Sequence, residues 1–225
     1  MPFWNTIRWV VWKDLISELR SRETLSSMLF FALIVILVFS FSFSMDQDAA
    51  RQLIAGIIWV AFTFTGIIGL GKSFTSELQN DCLEALQICP IPKGAVYLGK
   101  VLANFLFILS VEILLFPLFI LFFNLDVVAE LDVLLVVFVL ATFGLSAVGT
   151  LFSALTVQIR AREVMLPVLL LPLAVPVMIA AVESTRGILN ADPYSFYSQW
   201  IELLVVFDII FTVVSFWLFE FILDS

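Results

Sequence analysis

Residues Leu25–Ser44 read LSSMLFFALIVILVFSFSFS, a stretch with thirteen Leu, Ile, Val or Phe side chains and no charge. A helix that crosses the hydrocarbon core of a bilayer takes roughly 20 mostly apolar residues. At about −0.3 to −0.6 kcal/mol for each such side chain, insertion of this stretch is favourable by several kcal/mol. Five more runs of that kind follow, at Gln52–Gly71, Val101–Phe123, Leu131–Leu155, Val164–Val182 and Trp200–Leu223. The short gap at Met45–Arg51 makes the first two spans a tight hairpin. The 225-residue sequence is 62% hydrophobic, against roughly 45–50% for soluble domains, so the natural solvent is lipid. The expected fold is all-α: a polytopic membrane protein of six transmembrane helices forming one domain over residues 1–225.

Charge sets the expected orientation and excludes several functions. Arg8, Lys13, Arg20, Arg22, Lys72, Lys93, Lys100, Arg160 and Arg162 fall on one side of the six-span layout, and only Arg51 and Arg186 on the other. The positive-inside rule then places both termini in the cytoplasm of a bacterial inner membrane protein. A net charge of −8 argues against nucleic acid as a partner. Histidine is absent, which removes the commonest metal and haem ligand and the commonest general base. The two cysteines, Cys82 and Cys89, are too few for a disulfide scaffold and are not spaced as a CxxC redox pair. The first 24 residues mix polar and aromatic side chains, and the first apolar run is too long for a signal-peptide core, so no cleavable leader is expected.

Two segments outside the spans read as amphipathic helices. In Phe3–Glu23, residues Trp4, Ile7, Val11, Leu15 and Leu19 recur at helical spacing, with Arg8, Lys13, Glu18, Arg20 and Arg22 elsewhere. This predicts an elbow helix within residues 1–24, lying in the headgroup plane at a depth that suits Trp4, Trp9 and Trp12. The segment 72–100 is the longest polar stretch. There Leu78, Cys82, Leu86 and Cys89 share one helical face, Ser76, Gln79, Asp81, Glu84 and Gln87 are polar, and Pro90 and Pro92 end the helix. Such a helix covers its own membrane interface or docks a partner, and periodicity alone does not separate the two.

Several motifs tempt a sharper reading. Gly66–Ser73 fits G-x-x-x-x-G-K-S, but a phosphate-binding loop needs a strand and a helix of a soluble α/β domain around it. Here the motif ends a membrane span, and the glycines suit close helix packing. Cys89-Pro90 could suggest a haem-thiolate contact; an apolar-face cysteine before a helix stop is the plainer account. Glu112 and Asp208 lie near the middle of the third and last spans, where a carboxylate costs about 3 kcal/mol. They line a polar path or make helix-to-helix hydrogen bonds. Pro117 interrupts the third span, while Pro167, Pro172 and Pro176 predict a kinked or partly broken fifth span. Thr142, Ser146, Thr150 and Ala154 form a small-residue face suited to a close helix contact.

The order of elbow helix, six spans and a polar helix between the second and third resembles the ABC-2-type exporter permeases. Leu83-Glu84-Ala85-Leu86, Pro90 and Tyr97-Leu98-Gly99-Lys100 are similar to that group's coupling-helix pattern. With Gly56–Ala61, Leu155–Val157, Arg160–Glu163 and Leu169–Pro176, the chain most resembles the haem exporter protein B family, the CcmB permeases of cytochrome c maturation. The resemblance implies a non-catalytic permease subunit with no firmly bound cofactor, haem being the cargo of the complex. It implies ATP bound by a separate CcmA-type ATPase, a second copy of the permease, and CcmC-type and CcmD-type membrane partners. A CcmE-type periplasmic haem chaperone would be served indirectly. Leu78, Cys82, Leu83 and Leu86 are then the expected ATPase-docking residues of the coupling helix, with Glu84 a polar anchor. The alternatives are an ABC-2 exporter of a lipid or drug, an anchor for a respiratory enzyme and an intramembrane protease. The last two are disfavoured by the lack of histidine.

Overall fold

A computed structural model of the chain describes residues 3–20, 22–42, 47–74, 92–125, 130–157, 159 and 161–224. Within them the backbone is helical, in the order α1 (Phe3–Arg20), α2 (Arg22–Ser42), α3 (Gln47–Lys72), α4 (Lys93–Phe123), α5 (Leu131–Thr156), α6 (Arg162–Leu189) and α7 (Tyr194–Asp224). Helices α2 to α7 are each long and apolar enough to cross a membrane; α3 to α7 contain the last five runs read from the sequence, and α2 covers the first as far as Ser42. The protein is an all-α, multi-pass membrane protein.

Helix α5 lies at the centre, packed against α3, α4, α6 and α7. Its middle is nearly free of bulk on one side, because Thr142, Ser146 and Thr150 are all buried there. An aromatic knot ties α3, α4 and α5. The Phe138 ring takes Trp59, Phe62 and Phe116 at 5.6, 5.3 and 5.1 Å, all close to perpendicular, a geometry worth about 0.5–1.5 kcal/mol per pair beyond area burial. Trp59 also donates its indole N–H to Thr185 Oγ1 of α6 at 2.9 Å, so the knot reaches a fourth helix.

Three expectations change in detail. Helix α6 runs unbroken through Pro167, Pro172 and Pro176; each proline removes a single helical hydrogen bond, and the helix continues past it. Helix α4 starts at Lys93, so residues 93–100 are the first turns of a 31-residue helix rather than part of a separate segment. At 1.5 Å per residue that helix is about 46 Å long and overruns a roughly 30 Å hydrocarbon core. On α1, the side facing α4 carries Ile7, Val10 and Asp14, whereas Trp4, Trp9 and Trp12 are exposed. Apolarity alone does not distinguish a lipid-facing residue from a protein-facing one.

Gly99 allows that packing. A Cβ there would stand 2.8 Å from Val10 Cβ and 3.3 Å from the Ile7 carbonyl oxygen, so α1 lies directly on the α4 backbone. The stretch Gly66–Lys72 is helical throughout, with Gly66 against Leu145 and Gly69 against Met28.

Candidate functional site

Helix α3 ends at Lys72 and turns at Ser73 and Phe74, and α4 begins behind Pro92, whose carbonyl accepts the Ala95 and Val96 N–H groups. Residues 75–91 join these two roots in the sequence. Leu78, Cys82, Leu83, Glu84 and Leu86 lie outside the described residues. What the structure describes is how both roots are fastened.

Lys100 stands two turns into α4 and is 1% exposed. Its Nζ lies 3.0 Å from Asp14 Oδ2 of α1, donates to the Ser73 carbonyl at 2.9 Å and sits 4.5 Å from the centre of the Phe74 ring. A buried ammonium is tolerated only with such compensation, and here an anion, a carbonyl and a ring face supply it. Lys13 also reaches Asp14, at 2.9 Å, but its side chain is 55% exposed, so water screens that pair and it contributes little. One turn along α4, Asn104 donates to Ser73 Oγ at 3.0 Å and to Thr150 Oγ1 at 2.8 Å. Ser153 donates to the Leu70 carbonyl at 2.7 Å, and the Tyr97 hydroxyl to the Ala147 carbonyl at 3.1 Å.

The elbow helix, the two roots and the central helix thus form one buried polar network. Around it lies an apolar collar that includes Phe74, Val96, Tyr97, Leu151 and Phe219, with the Phe219 ring of α7 5.2 Å from Tyr97. Satisfied buried networks of this kind are stiff.

A family model, CcmB protein, matches residues 5–221. The chain belongs to the CcmB family. It is 31% identical over 193 residues to heme exporter protein B of Pseudomonas aeruginosa, covering 86% of each chain. With heme exporter protein B of Escherichia coli K12 it shares 32% identity over 197 residues, 86% of this chain and 87% of the relative. With that of Rhodobacter capsulatus it shares 31% over 174 residues, 77% of this chain and 79% of the relative.

In this CcmB-family chain the two mid-span carboxylates approach α5 from different sides. Glu112 of α4 is 1% exposed and accepts a 2.5 Å hydrogen bond from Thr142. Asp208 of α7 rests against Gly144, and neither of its carboxylate oxygens has a hydrogen-bond partner. Positions 142 and 144 are about 200° apart around a helix axis, so α5 separates the two groups. The small-residue face of α5 supplies the partners of α4: Thr142 serves Glu112 and Thr150 serves Asn104.

The residues that sequence reasoning missed are Asp14, Ser73, Lys100 and Asn104. In the sequence Lys100 reads as one of nine orientation charges, and Ser73 as the end of a false phosphate-binding string. A usable signal was present: Lys100 and Asn104 are four apart at the mouth of an apolar helix, hence on one face, and two polar groups there demand buried partners.

Proposed function

We propose that this chain is the permease subunit of an ABC complex for haem delivery in cytochrome c biogenesis, in a bacterial inner membrane with both termini in the cytoplasm. In this reading a separate CcmA-type ATPase docks on residues 75–91 through Leu78, Cys82, Leu83 and Leu86, with Glu84 as a polar anchor. ATP hydrolysis there shifts the permease between two shapes, and the complex transfers haem to, or releases, a periplasmic CcmE-type chaperone. A second copy of the permease and CcmC-type and CcmD-type proteins complete the assembly. Support for the cargo comes from relatives named heme exporter protein B along most of the chain. The observation that carries the coupling role is the buried Asp14–Lys100–Ser73 tie at both roots of 75–91.

The test is Leu83→Asp in cells that express the complete assembly. The variant is expected to reach the membrane at normal levels, to lose the co-purifying ATPase and to bring c-type cytochromes close to the level of a deletion. Normal cytochrome yield with the variant would overturn the reading.

A further inference from the structure

Asp208 is a buried carboxylate for which neither the fold nor the proposed coupling role has a use. It lies at the fifteenth position of the 31-residue α7, about halfway through the membrane, and is 6% exposed. It lines an open groove of about 440 Å³ on the outer side of α5 and α7, between Leu140, Phe143, Val205, Ile209 and Val213. Thr212, one turn along, lines the same groove, and its hydroxyl also lacks a hydrogen-bond partner. Facing lipid, the apolar lining needs no partner. A carboxylate and a hydroxyl without partners at this depth do, since hydrocarbon offers neither water nor donors.

We propose that this groove receives a transmembrane helix of a different chain that presents a lysine or arginine to Asp208 at mid-membrane depth. Charge complementarity selects the occupant. None of this chain's own Lys or Arg residues lies in the middle third of a spanning helix. A second copy of the chain would therefore bring no cation to the groove, and a symmetric contact there would set Asp208 against Asp208. In the isolated chain the carboxylate rests on Gly144, whose missing side chain leaves the space for it. As the helix enters, the carboxylate turns from Gly144 toward the groove and the cation takes one or both oxygens, Thr212 offers its hydroxyl one turn away, and the apolar wall packs on the rest of the visiting helix. The inference does not depend on what the complex carries.

The test uses the intact assembly in its native membrane, with a photo-reactive residue at Ile209, which is 61% exposed, and Asp208 left unchanged. The expected product is a cross-link to another membrane protein whose captured helix carries a mid-span Lys or Arg. Neutralising that cation, or Asp208→Asn, is expected to weaken recovery of the partner about tenfold or more, as truncating one side of a buried charge pair does. Combining Asp208→Lys with the reciprocal change in the partner is expected to restore it. Cross-linking only to lipid or to a second copy of this chain would overturn the proposal. So would a captured helix without a basic residue, or partner recovery unchanged by Asp208→Asn and Asp208→Leu. Loss of ATPase docking in Leu83→Asp leaves this cross-link in place, so the two readings fail separately.

Discussion

Replacing Asp14 by leucine removes the carboxylate that lies 3.0 Å from the buried Lys100 ammonium. The Ser73 carbonyl and the Phe74 ring stay beside it, and neither is an anion. With side chains 1% and 12% exposed, this pair belongs to the class in which removal of one partner costs about 3–5 kcal/mol. The neighbouring Lys72–Glu23 pair, at 3.5 Å and with side chains 40% and 80% exposed, belongs to the class worth about 0–1 kcal/mol. Lys100→Met should cost less than Asp14→Leu, because Asp14 keeps Lys13 and some contact with solvent. The double variant removes both charges and should recover most of the loss, since an apolar pair can replace a buried ion pair at little cost. The assay is denaturant unfolding of the four proteins in mixed micelles, read as a double-mutant cycle. Additive single effects, or an Asp14→Leu variant as stable as the parent, would refute the assignment of Lys100 as a buried, charge-paired anchor.

Two further outcomes follow from the same contacts. Gly99→Ala should push α1 off α4, at a cost of about 1–3 kcal/mol for overpacking against Val10 and the Ile7 carbonyl; the unfolding midpoint and the labelling of a cysteine at Val10 report it. Thr142→Val should destabilise by about 1–3 kcal/mol, because it leaves the Glu112 carboxyl without its donor. The same change in a Glu112→Leu background should be close to neutral in that assay.

The spans were legible because hydrocarbon-length runs such as Leu25–Ser44 and Leu131–Leu155 have no other home. The elbow helix was legible for the same local reason, as alternation of apolar and charged residues within Phe3–Glu23. Which face of it turns inward was not. In lipid the exposed Trp4, Trp9 and Trp12 are as much at ease as the buried Ile7. The anchoring network was hidden because its members are far apart in sequence: Asp14 meets Lys100, and Asn104 meets Ser73 and Thr150. Local periodicity carries no information about such pairs. The prolines of α6 do not break it, since the helix is continuous from Arg162 to Leu189; local rules mark where a helical hydrogen bond is lost, not whether the helix ends there.

Under the proposed function, residues 75–91 stand on the energy-supplying side of the membrane and hold the motor there. The chain's two cysteines, Cys82 and Cys89, both lie in that segment, so a membrane-impermeant maleimide reads its position without any substitution. Labelling is expected in inverted vesicles stripped of the ATPase, with protection when the ATPase is added back, and none in right-side-out spheroplasts. Labelling in the spheroplasts would contradict that placement.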